Sequence, residues 1–416
     1  MDIASAHVKG YLVEHTANTP QQLRRANMAT ILAVLRRSGA ANGTDLIDAT
    51  GLARATVIAV CDDLIKAGWV QELPAQKPST GVQKGRPARV FEFDARAGFV
   101  VGLDIGMAKT TAVVADLKGA ILAKNTVAFA AMGVRADSPA PRFTVIDQAI
   151  CAALADAGAV PGEVLAAGVG IAAPVDRAGN IPSGQPMWKT FDTGIKDELQ
   201  RRHGWPVLMG NDANLAALAE AWMGVGAGVQ DLAVMLAGER IGFGLMESGR
   251  LLRGARGRAG EVGSLELLDG VGTPDGIARL ARDLGAQTET AELTQFPSAE
   301  QVFDAAARGD AAAAKILTTI AVRLGRVIAV VATFTDPELV VIGGAVAASS
   351  AVLLEALEAE LANFLPSPPR VAVSPLGDSI VSLGAVRLAL DHVQEHVLEL
   401  VPGGGGMRGR NSRQME

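Results

Sequence analysis

Cysteine is almost missing from this chain of 416 residues, where Cys61 and Cys151 are the only two. Two thiols cannot build a disulfide framework or a cysteine-rich zinc site, so a reducing compartment, the cytoplasm, is expected. No apolar stretch of signal-peptide type opens the sequence, and no run approaches 18 uninterrupted apolar residues, which argues against export and against a membrane span. Charged residues make up only 20% against 49% apolar, without a long polar tract, so the body of the chain is not of the disordered class. The length calls for two or three domains. Net positive charge is also lacking: 38 Lys and Arg stand against 44 Asp and Glu, a formal −6, which excludes a protein that coats nucleic acid by bulk charge.

That deficit is unevenly spread. Residues 19–93 hold ten Lys or Arg and six Asp or Glu, a balance of +4, which leaves −10 for the rest. The division predicts an N-terminal arm (1–18), a small basic module (19–93), a large acidic module (94–401) and a glycine-rich flexible tail (402–416) to which no role is assigned.

In the basic module, Met28, Ile31, Leu32 and Leu35 recur at helical spacing, and Gly39 closes that segment. Thr44 is the expected N-cap of a brief second helix, and Gly51 permits a sharp turn. A third helix from about Leu52 has Val57, Val60, Cys61 and Leu64 on its apolar face, with Cys61 read as a small core residue. Two β-like stretches, Trp69–Leu73 and Arg89–Phe93, flank a loop containing Lys77, Lys84, Gly85, Arg86 and Pro87. Three helices and a basic-tipped hairpin describe a winged helix-turn-helix, in which the third helix enters the major groove and the wing rests on the backbone. Arg54 and Thr56 are the candidate base readers, and Lys84 and Arg86 the candidate phosphate contacts. A three-helix packing or dimerisation element is the alternative, and the wing favours DNA. Ile58 and Ala59 resist it, because they stand where a reading helix would carry polar groups.

From Phe99 the text turns to apolar strands punctuated by glycine. Phe99–Leu103 reads as a buried strand ended by Asp104-Ile105-Gly106, and Thr111–Ala115 and Ala120–Ala123 follow around the turn at Gly119. A related plan recurs at Leu232–Leu236, Gly238, Ile241–Met246, Gly249 and Leu251-Leu252, implying two halves of similar build. Alternating strands and helices elsewhere imply mostly parallel sheets flanked by helices, with a cleft between the halves. Glycine turns at strand ends expose N–H groups that suit phosphate, and Asp104, Gly106 and Lys109 would position a metal-bound nucleotide, although such turns also simply make hairpins.

These pieces, together with Gly168-Val169-Gly170-Ile171-Ala172-Ala173-Pro174, Asn211-Asp212-Ala213-Asn214, Gly257-Arg258-Ala259-Gly260-Glu261-Val262-Gly263 and Gly343-Gly344, resemble the ROK family of sugar kinases and transcriptional repressors. The resemblance covers Thr19 to Ala389 and implies an α/β chain: an N-terminal winged helix-turn-helix, as in the family's repressor branch, on a two-lobed body of the actin-like ATPase fold. It implies that Asp212 occupies the position of the general base that deprotonates a sugar hydroxyl in family kinases, and that Asn211 and Glu261 hold sugar hydroxyls. A carboxylate there also binds a sugar without chemistry. Trp188 is read either as a sugar-stacking face or as core.

The departures point away from catalysis. Met107-Ala108 stands where family kinases carry Gly-Thr, and Gly238-Glu239-Arg240-Ile241-Gly242 where they carry Gly-Thr-Gly-Ile-Gly. A glutamate there repels phosphate by about 1 kcal/mol at 4 Å in water, so ATP binding is expected to be impaired and Gly238, Gly242, Gly343 and Gly344 to belong to a degenerate nucleotide site. Ser264 replaces the family's zinc- and sugar-binding histidine, and no cysteine follows Cys151, so neither zinc nor another cofactor is expected. Gln185 replaces an asparagine, a sign of altered ligand specificity. The expected function is a cytoplasmic, ligand-responsive DNA-binding regulator of repressor type, with operator DNA and a sugar or related metabolite as partners, no membrane partner, and a homodimer or homotetramer as the working form. An active sugar kinase carrying a DNA-binding module, or a constitutive DNA-binding protein whose body serves only assembly, are the rivals. Replacing Arg54 with alanine is expected to cost about 1–3 kcal/mol at its preferred base and relax preference there, whereas losing Arg86 should weaken binding to all sequences and flatten its salt dependence. Binding to a set of operator variants at several salt concentrations separates the two; an Arg54→Ala protein that ranks operators as the parent does would refute this placement.

Overall fold

A computed structural model describes residues 19–74, 88–132, 139–182, 188, 190–191, 194–263, 267–268, 270–288, 293 and 297–402. Helix α1 (Pro20–Ser38) starts at Thr19, whose hydroxyl accepts from the N–H of Gln22 while the Gln22 amide accepts from Thr19, a capping box that satisfies two otherwise orphaned donors. The short strand β1 (Ala41–Asn42) leads into α2 (Gly43–Thr50). Its cap is Asn42 rather than Thr44. The Asn42 side-chain oxygen accepts from the N–H groups of Thr44 (2.8 Å) and Asp45 (3.1 Å), and the Asp45 carboxylate accepts from the Asn42 N–H, so the helix begins one residue before Thr44. After Gly51 come α3 (Arg54–Lys66), β2 (Val70–Leu73) and β3 (Val90–Phe93). Val57, Val60, Cys61 and Leu64 are the buried residues of α3. They close a core with Ile31, Leu32, Leu35, Leu46, Trp69, Phe91 and Phe93. The strands pair antiparallel in the order β1-β3-β2. Residues 396–402 belong to this same first unit: Leu398, Leu400 and Pro402 line a pocket with Met28 and Trp69. Sequence alone assigns residues 396–401 to the large module.

The second unit, Phe99–Glu395, begins with β4 (Phe99–Ile105), β5 (Lys109–Asp116), β6 (Ile121–Ala128), α4 (Pro139–Ala157), β7 (Val164–Ile171), α5 (Ile195–His203), β8 (Val207–Asn211) and α6 (Asp212–Met223). It continues with β9 (Leu232–Ala237), β10 (Ile241–Glu247), β11 (Arg250–Leu251), α7 (Ile277–Ala286), α8 (Ala299–Ala307), α9 (Ala311–Thr335), β12 (Leu339–Gly343), α10 (Ala347–Ser350), α11 (Leu354–Phe364), β13 (Arg370–Val373) and α12 (Ile380–His396), which runs one residue past the unit boundary. The sheets have orders β6-β5-β4-β7-β8 and β11-β10-β9-β12-β13, so the repeat seen in the sequence is one topology used twice. The expectation of mostly parallel sheets is corrected: β4-β5-β6 and β9-β10-β11 are antiparallel, and only β4-β7-β8 and β9-β12-β13 are parallel. Tight turns at Gly119 and at Ser248-Gly249 reverse the chain too quickly for any crossover, which forces antiparallel pairing.

One face of the first sheet packs on α4 and α5 through Leu103, Ile146, Ile150 and Leu199. The second sheet packs on α7, α8, α9 and α11 through Phe243, Ile277, Ile320 and Leu357. Helix α9 is long and apolar enough to cross a membrane by length and composition, with a mean hydropathy of 1.8. In the fold it is a core helix, and its two arginines are met by protein: Arg323 donates to the Val271 carbonyl at 3.0 Å and Arg326 pairs with Glu360 at 2.7 Å.

Helices α6 and α12 fill the space between the sheets by close backbone approach. A Cβ on Gly168 of β7 would lie 2.1 Å from the Ala385 carbonyl oxygen in α12, and one on Gly384 would lie 1.8 Å from that of Leu215 in α6. Neither backbone atom can yield cheaply. Gly384→Ala is therefore expected to destabilise the protein by about 3 kcal/mol or more, read as a lower denaturation midpoint in urea; a parent-like midpoint would mean that the crossing relaxes freely.

Candidate functional site

Strand β8 delivers Asn211 to its last position and α6 starts with Asp212, so the strand-to-helix junction itself presents both side chains. Asn211 caps the helix: its oxygen accepts from the Asn214 N–H at 3.0 Å, while its amide donates to the Ala173 carbonyl at 3.3 Å and to Asp212 Oδ1 at 3.0 Å. Asp212 Oδ1 also accepts from the Ala213 N–H at 2.8 Å. Desolvation nevertheless pushes the Asp212 carboxyl up to about 7, and the charges of Asp104 and Glu261 add to the rise against the backbone hydrogen bonds. Asp104, near the end of β4, is raised to about 6 by desolvation first, with Asp378 adding to it and Lys109 opposing. Glu261 is raised by desolvation against the charges of Arg240 and Arg258. It follows Gly260, whose φ of +86° and close contact with the Phe243 carbonyl (a Cβ would lie 1.9 Å away) require glycine. The carboxyl groups of β4 and of the loop after β11 thus both act on the one at the start of α6. Around neutral pH they offer both proton donors and acceptors, which suits the hydroxyls of a polyol.

The residues expected at a nucleotide are differently engaged. Lys109 Nζ pairs with Asp378 Oδ2 at 3.0 Å, and Lys124 pairs with the other oxygen at 2.7 Å. Hydrogen bonds from Lys124 and Lys109 hold the Asp378 carboxyl down to about 2. Gly106 accepts from buried Arg142 at 3.4 Å, and Met107 and Ala108 are exposed on the turn that follows. Between β9 and β10, the carbonyls of Gly238 and Glu239 accept from Ala278 (3.0 Å) and Gly276 (2.9 Å) at the start of α7, and the Ile241 N–H donates to Pro274 at 2.9 Å. The backbone of Arg240 pairs with that of Asp275 in an isolated antiparallel bridge. The Glu239 carboxylate is not the bare charge that its position in the sequence suggests: Arg282 of α7 holds both oxygens, at 2.8 and 2.6 Å, and lowers its pKa. Gly343 ends β12, and Gly344 follows with φ +96°. Sequence reasoning missed Asp378, Lys124 and Arg282, because each acts on a partner far away in the chain and none belongs to a local motif.

Trp188 is buried in the core of the first sheet, with the Arg258 guanidinium 5.1 Å from its ring centre, which decides for packing over stacking on a sugar. Gln185 and Ser264 lie outside the described residues, as do Lys84 and Arg86. In the first unit Arg54 is exposed at the first position of α3 and Thr56 is half-buried. Ile58 turns toward the start of α2, where its Cδ1 would sit 3.6 Å from a Cβ on Gly43, so it packs internally and does not compete with a polar reading face. Much of the positive charge of the basic module is already used: Arg89 pairs with Asp62 (2.8 Å) and Glu72 (2.7 Å), and Arg24 pairs with Asp63. Among the described residues no group of three or more His, Cys, Asp or Glu side chains is placed to hold a metal ion.

Residues 100–392 match the ROK family, and the chain belongs to that family. A putative xylose repressor from Caldicellulosiruptor sp. (strain Rt8B.4) is 26% identical over 362 residues, covering 82% of this chain and 89% of that one. A glucokinase from Halalkalibacterium halodurans is 32% identical over 206 residues, 44% of this chain; the match spans 61% of the glucokinase, less than two thirds of its length. A solved ROK family transcriptional regulator, a homologue of the Escherichia coli MLC protein, superposes with a TM-score of 0.69 at 20% identity, covering 90% of this chain and 98% of that one, and shares its fold. The two mixed sheets accordingly stand among the family's actin-like sugar-kinase folds.

The raised carboxyl groups have a measurable sign. An unfolded aspartate titrates near 3.9, whereas Asp212 holds its proton to about 7 when folded. The stability gained from that proton is full below about pH 4 and is lost as the pH rises through about 7. The ligand-free protein should therefore lose melting temperature between about pH 6 and pH 8, and Asp212→Asn should remove much of that slope and melt higher at the alkaline end. Parallel melting curves for the two proteins across this range would contradict the assignment.

Proposed function

We propose that this protein is a sugar-responsive transcriptional repressor whose sensor is a ROK sugar-kinase fold that binds its effector without phosphorylating it. The observation that carries the reading is the joining of two units: three helices and a three-stranded sheet with Arg54 exposed at the start of α3, and a kinase-like body whose phosphate loops are engaged internally. The first unit has the element order of a winged helix-turn-helix, in which α3 reads base edges through Arg54 and Thr56, with Lys84 and Arg86 of the wing on the backbone. The similarity to a putative xylose repressor along most of its length supports this reading.

In the body, Asn211, Asp212 and Glu261 hold the hydroxyls of a sugar or related metabolite, with Gln185 and Ser264 shaping which one fits. ATP does not fit. Lys109 is neutralised by Asp378, the Ile241 N–H is taken by Pro274, and Arg240 adds bulk where a phosphate loop needs glycine. The family's zinc does not fit either, since Ser264 offers no imidazole and no cysteine follows Cys151. No cofactor is assigned. The working form is a cytoplasmic homodimer or homotetramer, because a two-fold operator needs paired reading heads. The effector acts by linkage: it shifts operator affinity only as far as it binds the two states of the protein unequally.

One observation favours a second reading. An aspartate with a pKa of about 7 at the family's general-base position is poised to take a proton from a hydroxyl. ATP-dependent phosphorylation of a hexose, abolished by Asp212→Asn, would establish a kinase. For the favoured reading, a thermal-shift panel of hexoses, pentoses, amino sugars, their phosphates and ATP should yield a stabilising sugar and no response to ATP. That sugar should change operator affinity about five-fold or more. Operator affinity unmoved by every compound that stabilises the protein would sink the sensor.

A further inference from the structure

The loop that ends in Glu261 carries arginine at its other end. After β11 it reads Leu252-Arg253-Gly254-Ala255-Arg256-Gly257-Arg258-Ala259-Gly260. The Ala259 N–H donates to the Arg253 carbonyl at 3.2 Å and closes it into a compact turn. The turn is seated on the segment after β7, where a Cβ on Gly257 would lie 2.1 Å from the Val175 carbonyl oxygen. Two residues beyond Val175 is Arg177. With Leu251, Leu252, Gly254 and Ala255, Arg177 and Arg253 line an open pocket of about 650 Å³.

Among the described residues no acid lines this pocket. Asp176, the neighbouring acid in the chain, is occupied by its own turn, accepting from the N–H groups of Ala178 and Asn180 at 2.9 Å each. Among the described residues no carboxylate pairs with either arginine. Arg253 is half-buried, and desolvation, followed by the charge of Arg177, holds its pKa below the ordinary arginine value. Two like charges on one pocket, one of them partly out of water, are costly until an anion lies between them.

We propose that Arg177 and Arg253 form a binding site for a small dianion of the phosphate class, with Leu251 and Leu252 against the carbon skeleton of a phosphate monoester. Guanidinium groups present planar pairs of donors that match phosphate oxygens. The carboxylate cluster of Asp104, Asp212 and Glu261 would repel the same ligand, so the two sites select opposite chemistry. They share one loop, and an anion at Arg253 steadies the segment that positions Glu261. This site does not depend on the sensor reading.

The test uses the full chain in chloride buffer of matched ionic strength, titrated with inorganic phosphate or with glycerol phosphate and followed by melting temperature and calorimetry. Both probes should stabilise saturably where chloride does not, and glycerol phosphate should bind more tightly; equal affinity would remove the leucine face from the proposal. Arg177→Gln and Arg253→Gln should each weaken phosphate binding roughly ten-fold or more, and the double variant should abolish it. Arg250→Gln, outside the pocket lining, and Asp212→Asn should bind phosphate as the parent does, so loss of the sugar site leaves this result readable. Without phosphate, Arg253→Gln should be no less stable than the parent, because the repulsion is relieved. Should Arg253→Gln fail to fold, the exposed Arg177→Gln alone decides. A double variant that keeps the phosphate response, or a parent that responds no more than to chloride, overturns the site.

Discussion

Helix α6 crosses α12 where Gly384 faces the carbonyl of Leu215, and the large unit is arranged around that approach. Both helices begin at or just after a carboxylate. Asp212 is the first residue of α6, and Asp378, which holds Lys109 and Lys124, lies two residues before α12. Fixing the crossing fixes where both carboxyl groups stand relative to the two sheets. The glycines on the strands behind them serve the same end, since Gly168 lets α12 lie directly on β7. A sensor built this way has little freedom to adjust its site locally, because packed backbone does not deform gradually. Ligand binding must then act through larger, concerted displacements.

The electrostatics divide sharply across the same unit. Desolvation raises the proton affinity of Asp104, Asp212 and Glu261, and at Asp212 the charges of the other two add to it. The cations that a nucleotide would need are spent elsewhere: Lys109 on Asp378, and Arg282 on Glu239. The likeness to sugar kinases is legible in the topology, while the side-chain pairing around Lys109 and Glu239 is internal to the protein.

Much of this was readable from residue order. The four buried positions of α3 follow from helical spacing, and the repeat of glycine-punctuated strands foretold two sheets of one topology. Asn211, Asp212 and Glu261 were singled out by resemblance to family motifs, and the structure sets them beside a helix cap and a left-handed glycine. The failures have physical causes. Thr44 was preferred as a cap although Asn42, two residues earlier, had the better-placed oxygen. Parallel pairing was overestimated because alternation of strands and helices says nothing about the hairpins that open each half. Asp378 was invisible: its contact with Lys109 spans 269 residues and follows from the placement of α12, which no local pattern announces.

Residues 398–402 pack with the first unit's helices. Leu400 is 3% exposed and lines a pocket with Met28 and Trp69, and Pro402 closes on Gly68. The small unit therefore has two covalent links to the large one, at Gly98–Phe99 and at Glu395–His396. A chain growing from its N-terminus lays down α1, α2 and α3 early, yet it cannot complete their packing until synthesis reaches the C-terminal segment. Translation that stops short would leave that packing incomplete however much of the first unit had already been made, so the small unit's last contacts form only in molecules whose large unit has been synthesised.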